Sequence, residues 1–529
     1  MSGSKIAGAA VKVSAITMIS RVLGYIRDAL SAALFGVGMI SDAFFVAFRI
    51  PNMLRDLMAE GALSSAFLPV FTEHVENKKD VWRLANNVLT VLTIILLIIV
   101  ILGMIFAPFI VNLIAPGFSK DPEKFALTVS LTRILFPFIM LVSLAAIFMG
   151  ILNSFKSFSV PAFAPVVFNI GIIIFGVFIC PRFKESNQIY AWAAGAIFGA
   201  ALQLVVQIPP VIKKGFAFKP VLDLKDKGLQ RVGKLMIPAT LGQSVTQINL
   251  VVNTIIASFL TAGSVSYLYY GNRLMQLPLG VFGVAIATVS FSYISTYVAN
   301  GDMENLRKTL NSSIKQALFI VVPASAGMIF LSRQINMLLF YYGKFTYVDV
   351  INSANVSAMY CLGIFAFSGT KILTPVFYAL DKAHKAVKIG IMTIGLNIVL
   401  SIIFVLVLPK DIAFIGLALA MAISGIVNFF VLYYTVEKQI GDIGRSDILA
   451  FAGKIAAASV LMGLIIFLGA GYIEKLSGLA QLSRLQNGLL VLGLMIIGAI
   501  IYFLLVSLMK VEEGGKLINL LKGKIIKKP

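Results

Sequence analysis

The residues best able to do chemistry in this chain are charges set where apolar side chains would be expected. "SRVLGYIRDALSAALFG" (20–36) places Arg21, Arg27 and Asp28 inside the first long apolar stretch. "SDAFFVAFRIPNMLRDLMAEGA" (41–62) follows with Asp42, Arg49, Arg55, Asp56 and Glu60. Guanidinium groups stay ionised when partly desolvated, and their forks match phosphate oxygens. Four arginines within so short a stretch therefore suit a multiply charged anion. Arg273 and Lys371 add cations within or close to later apolar stretches. Lys371 is also compatible with pairing to a helix terminus. The competing use of these charges is internal pairing that glues helices together, Arg27 with Asp28 or Arg55 with Glu60. The residue pattern alone leaves both uses open.

Helical phase indicates where these side chains point. At 100° per residue, Ser14, Thr17, Ser20, Arg21, Gly24, Arg27, Asp28 and Ser31 share an arc of about 140°, opposite Ile19, Val22, Leu23, Ile26 and Leu30. The first helix is thus expected to be amphipathic along a membrane-spanning length. On the second, Asp42, Arg49, Asp56 and Glu60 fall within about 40° of one another on an unbroken helix. Arg55 lies off that stripe, and Pro51 should kink the helix and re-aim it. Both helices are expected to line something wet, because charge at membrane depth normally faces a bundle interior or a water-filled cavity.

Composition identifies the solvent. Of 529 residues, 59% are hydrophobic and only 13% are charged, and mean hydropathy is +0.95. Soluble chains carry about a quarter charged residues. Apolar runs of about 20 residues, enough to cross a bilayer as helix, recur from end to end. Fourteen segments are expected to span, from 9–36 and 39–72 to 447–472 and 486–509. With the N-terminus inside, 27 of the 44 Lys and Arg residues fall in or beside one set of loops and nine, Lys120 and Lys124 among them, in the other. The positive-inside rule then places both termini in the cytoplasm. The net charge of +21 is accordingly a topology signal rather than a nucleic-acid footprint. The basic tail from Lys510 is expected on the anionic inner leaflet.

The chain also repeats itself. "SDAFFVAFRIPNML" (41–54) lies over "VSYLYYGNRLMQLP" (265–278), which sets Arg49 against Arg273. A six-helix offset makes the halves parallel repeats, with a substrate site expected at their interface. The expected fold is an all-α polytopic membrane protein with 14 transmembrane helices: two parallel six-helix lobes around a central cavity, plus two extra C-terminal helices. Its expected parts are an N-lobe (1–212), a cytoplasmic linker (213–234), a C-lobe (235–440), and the last two helices with a basic cytoplasmic tail (441–529).

Four stretches, "SRVLGYIRD" (20–28), "SDAFFVAFRIPNMLRDLMAEGALSSAFLPVFTE" (41–73), "ILNSFKSFSVPAFAPVVFNI" (151–170) and "LYYGNRLMQLPLGVFGVAIATV" (268–289), closely resemble the MurJ (MviN) family of lipid II flippases. That family belongs to the multidrug/oligosaccharidyl-lipid/polysaccharide exporter superfamily, and the resemblance spans nearly the whole chain. It implies movement of undecaprenyl-pyrophosphate-disaccharide-pentapeptide from the inner to the outer leaflet, by alternating access through a cationic central cavity. It implies Arg21, Arg27, Arg55 and Arg273 as substrate-binding arginines, with Asp28, Asp42 and Glu60 as accompanying acids. Arg49 joins the binding set and Lys371 the supporting set from their placement alone. Arg27 and Asp28 are read as a switchable pair that phosphate can open. Implied partners are lipid II, membrane lipids and cell-wall synthases, in the bacterial cytoplasmic (inner) membrane.

Two departures from the family pattern stand out: Asn272 where an acid usually precedes the arginine, and Ser292 where proline is usual. The expected spans 235–259, 386–409 and 412–436 hold no Asp or Glu, so a sodium site is not expected, and no cofactor or metal is. A multidrug antiporter would want buried carboxylates rather than these arginines. An intramembrane enzyme finds little support in two well-separated histidines, His74 and His384, and no phosphate loop. A non-transporting cell-wall assembly scaffold would not need the charged arc.

Overall fold

The computed structural model describes residues 3–57, 64–77, 80–477 and 484–511. Glu60 and the tail beyond Val511, both part of the sequence expectations, lie outside them. The described chain is helix joined by short turns, in two compact units. The first holds the described residues of Met1–Ser266 with Tyr342–Phe345; the second holds those of Tyr267–Tyr341 and Thr346–Pro529.

In the first unit, α1 (Gly3–Phe35) is followed by α2 (Met39–Arg55) and α3 (Ser64–Glu76). Next, α4 (Val81–Ile105) bends into α5 (Ala107–Ile114), and α6 (Pro122–Leu135) into α7 (Pro137–Ser154). The last four are α8 (Ser159–Ile174), α9 (Gln188–Val205), α10 (Ile208–Lys213) and α11 (Lys227–Ser258). Several breaks have a direct cause: Pro108, Pro122 and Pro137 sit at helix starts, where a missing N–H costs nothing. Asp80, Asp121 and Asp226 cap α4, α6 and α11 by accepting from the backbone N–H of Arg83, Lys124 and Leu229. Close approach fixes Gly117: a β-carbon there would lie 2.1 Å from the Ser258 carbonyl oxygen at the end of α11.

α12 (Ser264–Pro278), whose first three residues belong to the first unit, passes in the second through a π turn at Leu279–Gly283 into α13 (Val284–Ala299). Then come α14 (Met303–Phe330), α15 (Ser332–Phe340), α16 (Tyr347–Cys361) and α17 (Ile364–Ala379). The chain continues through α18 (Ala383–Val407), α19 (Ala413–Ile440), α20 (Arg445–Ser477) and α21 (Arg484–Leu508). Thr346 and Asp349 form a reciprocal capping box at α16. The last two helices pack on α14, where the Tyr502 hydroxyl donates to the Phe319 carbonyl at 2.7 Å and Phe330 leaves room only for Gly463.

Among the described residues, ten helices are long and apolar enough to cross a membrane, and the pair α16–α17, bent by 40°, makes up to eleven. The fold is therefore an all-α multi-pass membrane protein. The remaining three expected spans also fall on helix: α1, α2 with α3, and α11. Within α11, Gln247–Ser258 is a shorter apolar stretch. On α4 the lipid-facing side is plain: Ile94, Ile98, Ile101 and Ile105 are exposed, while Leu92, Leu96, Val100 and Gly103 are buried.

Candidate functional site: charged side chains on the membrane helices

The phase of α1 is as its sequence pattern predicts. Ile19, Val22 and Ile26 are about half exposed on the outward face. Gly24, Asp28 and Ser31 are buried, and Arg21 and Arg27 are half-buried between. Arg27 donates from Nε and Nη2 to the same oxygen of its neighbour Asp28, at 2.9 and 2.7 Å. Its Nη1 reaches Asn169 Oδ1 on α8 at 3.1 Å. The Asn169 amide turns back to the carbonyls of Ser20 and Pro165. One asparagine thus ties α8 to α1 at the level of the arginine.

Arg55, at the end of α2, repeats the arrangement. Its Nε and Nη2 donate to one oxygen of Asp56, at 3.1 and 2.7 Å. The other Asp56 oxygen accepts from Gln247 Nε2 on α11 at 3.2 Å. Both partners of this pair keep about a quarter of their side-chain surface accessible, whereas Asp28 keeps 3%. Arg55 thus holds Asp56, while the expected Arg55–Glu60 pair lies outside the described residues. Arg21 and Arg49 are half-buried on α1 and α2.

Asp42 has a different environment. It is 1% exposed, and both its oxygens are fully engaged. Lys124 Nζ and the Gly263 N–H donate to Oδ2, at 2.8 and 2.7 Å. The Ser266 N–H and hydroxyl donate to Oδ1, at 2.9 and 2.7 Å. Lys124 is itself buried, with its ammonium 3.9 Å from the centre of the Phe118 ring. Four donors, one of them cationic, satisfy both oxygens of this carboxylate inside the protein. Asp42 therefore does not continue the accessible stripe of its helix; it knots α2, α6 and the start of α12 together.

In the second unit Arg273 is half-buried on α12, and Lys371 is exposed on α17. No group of three or more His, Cys, Asp and Glu residues that could hold a metal ion occurs among the described residues. Cys180 and Cys361 are buried free thiols. Sequence reasoning missed Asp56, Asn169, Gln247 and Lys124 as partners of the charged set. Asp56 lies on the expected stripe of its helix, and its adjacency to Arg55 in the chain is the signal that pairs them.

The sequence model described as "Lipid II flippase MurJ" matches residues 31–483 of the chain. The chain belongs to the lipid II flippase MurJ family. Among curated relatives of this MurJ-family chain, "Probable lipid II flippase MurJ" of Buchnera aphidicola is 37% identical over 460 residues, covering 86% of this chain and 89% of the relative. "Lipid II flippase MurJ" of Burkholderia cenocepacia is 35% identical over 464 residues, covering 86% and 89%. A solved structure, "Lipid II flippase MurJ, inward closed conformation", superimposes with a TM-score of 0.76 at 30% identity, covering 94% of this chain and 98% of that one. An inward-facing multidrug MATE transporter superimposes with a TM-score of 0.67 at 16% identity, which shows a shared fold only. The MurJ family is a transporter family, not a class of catalysts.

Proposed function

We propose that this chain is a lipid II flippase, carrying the polyprenyl-diphosphate-linked peptidoglycan precursor from the inner to the outer leaflet of the bacterial cytoplasmic membrane. The observation that carries the reading is the repeated pair, Arg27 with Asp28 and Arg55 with Asp56, on membrane helices of a MurJ-family chain. Each guanidinium holds one carboxylate oxygen through two N–H groups. A diphosphate offers more acceptor oxygens and more charge than one carboxylate, so it can compete for the same forks. The polyprenyl tail is apolar and can stay in lipid while only the headgroup needs replacement for its water. Arg21, Arg49 and Arg273 complete the proposed binding set; Asp28, Asp42 and Lys371 support it, as does Glu60 on sequence grounds.

Alternating access is the mechanism we propose for the change of side. The excess of basic residues in one set of loops supports cytoplasmic termini, which a reporter fused after Pro529 would check. Cell-wall synthases are the expected consumers of the delivered precursor. The direct test replaces Arg21, Arg27, Arg55 and Arg273 singly by alanine and measures lipid II exposed on the outer leaflet. Severe loss at normal membrane insertion is expected. Unchanged exposure in all four would overturn the site assignment.

A further inference from the structure

The segment between α10 and α11 is not a loose tether. It runs extended along the first turns of α4, and side chains of that helix hold its backbone as a neighbouring strand would. Asn86 donates to the Ala217 carbonyl at 3.0 Å and accepts from the Lys219 N–H at 3.0 Å. Thr90 accepts from the Val221 N–H at 3.3 Å. Asn87 donates to the Asp223 carbonyl and accepts from its N–H, at 2.8 and 3.0 Å. Alternate residues therefore turn their backbone groups to α4, which leaves Phe218, Pro220 and Leu222 sharing one face.

That face is apolar and uncovered. Phe218 is 61% exposed, and Leu222 and Leu224 are each 63% exposed. Around it Lys213, Lys214, Lys219, Lys225 and Lys227 are all exposed. The two acids of the stretch are occupied: Asp223 accepts from Arg83 at 3.2 Å, and Asp226 caps α11. The exposed side chains of the strap thus combine apolar bulk with positive charge.

Its depth follows from α4. The 25 residues of that helix rise about 37 Å, more than the ~30 Å hydrocarbon thickness. Asp80 and Arg83 at its start, against Ile101 and Ile105 at its far end, put the surplus length at the first turn, among headgroups, and the strap begins beside the second. An independent marker agrees: Trp82, in that first turn, packs on Phe155 and Phe216 with ring centres 5.7 and 5.8 Å apart, and tryptophan concentrates at this level of a bilayer.

We infer that the 216–227 strap is a membrane-interface anchor, its apolar face seated in the acyl boundary and its lysines on anionic phospholipid headgroups. Apolar side chains flanked by lysine are the combination that binds such surfaces. The inference does not depend on which lipid the protein transports.

The test attaches a nitroxide to Leu222→Cys, and separately to Phe218→Cys, in the full chain reconstituted in nanodiscs; Cys180 and Cys361 are fully buried and should not react. Collision with oxygen and with a water-soluble nickel chelate is compared with a label at Asn300→Cys in an exposed turn. The oxygen-to-nickel ratio should be severalfold higher at 218 and 222, and higher in discs containing phosphatidylglycerol than in pure phosphatidylcholine. Lys219→Glu with Lys225→Glu should abolish that dependence on lipid charge. A ratio equal to that at Asn300 would overturn the anchor. Shielding from both reagents would overturn it in favour of a protein partner. Equal ratios in the two lipids would overturn the anionic preference. Lipid II exposure, measured on the same variants, reports separately on the flippase reading.

Discussion

Asp28 and Asp42 are both buried aspartates paired with a cation in the first unit, yet their surroundings differ. Asp42 gathers four donors from three parts of the fold, and Lys124 comes from 82 residues away. Asp28 receives two guanidinium N–H groups from its own chain neighbour through a single oxygen. The Arg55–Asp56 pair is more accessible still. A charge held by distant parts of the chain can be released only by moving those parts. A charge paired with its chain neighbour can change partner by side-chain rotation, for Arg27 together with release of Asn169. The first arrangement suits a fixed joint, the second a site that must let go.

The sharpest way to break this contrast is to remove one side of the joint. Asp42→Ala leaves the Lys124 ammonium buried without its carboxylate and should destabilise the protein by about 3–5 kcal/mol, read as a lower thermal midpoint in detergent. Asp42→Leu combined with Lys124→Met should recover most of that loss, because a removed pair is tolerated far better than a broken one. Arg27→Ala and Arg55→Ala should each reduce outer-leaflet lipid II at least tenfold, about 1.4 kcal/mol or more. Arg55→Ala, whose partner Asp56 stays about a quarter accessible, should keep the thermal midpoint near that of the parent. Arg27→Ala, by contrast, leaves Asp28 buried without its guanidinium and should lower it. Equal thermal losses at Asp42 and Arg55 would erase the distinction drawn here.

Asn169→Ala probes the boundary between the two kinds of site. It removes the amide joining Arg27 to the Ser20 and Pro165 carbonyls and should cost about 1–2 kcal/mol of stability, together with a partial loss of transport. The smallest effect belongs to a carboxylate in water. Asn305, through its side-chain amide and its backbone N–H, holds Asp302 below the usual carboxylate range. Its stabilisation is present above the ordinary aspartate range and fades as pH falls below about 4. Asp302→Asn should flatten that last part of the acid profile and leave neutral-pH stability nearly unchanged.

Much of this was readable from residues. The apolar runs marked the helices because backbone in lipid has few alternatives. The period of α1 separated Ile19, Val22 and Ile26 from Arg21, Gly24, Arg27 and Asp28, and the structure keeps that separation. What failed was pairing across distance. Lys124 reads as one more outer-loop lysine until α6 is laid against α2. Asn86 and Asn87 look like interruptions of an apolar helix until the strap lies beside them. Helical phase assigns a face but not a partner, so Asp42 was grouped with residues whose accessibility it does not share.

The π turn at Leu279–Gly283 has a consequence of its own. Such a turn accommodates one surplus residue within an otherwise α-helical rod. Deleting a single residue there would restore the ordinary pitch and leave the side chains from Val284 to Ala299 facing as they do now, whereas a deletion within a regular turn swings everything beyond it by about 100°. Arg273, upstream, would keep its bearing. The azimuth of Tyr293 and Tyr297 relative to that arginine is thus buffered at this turn, which can take up a change of count that the regular turns on either side cannot.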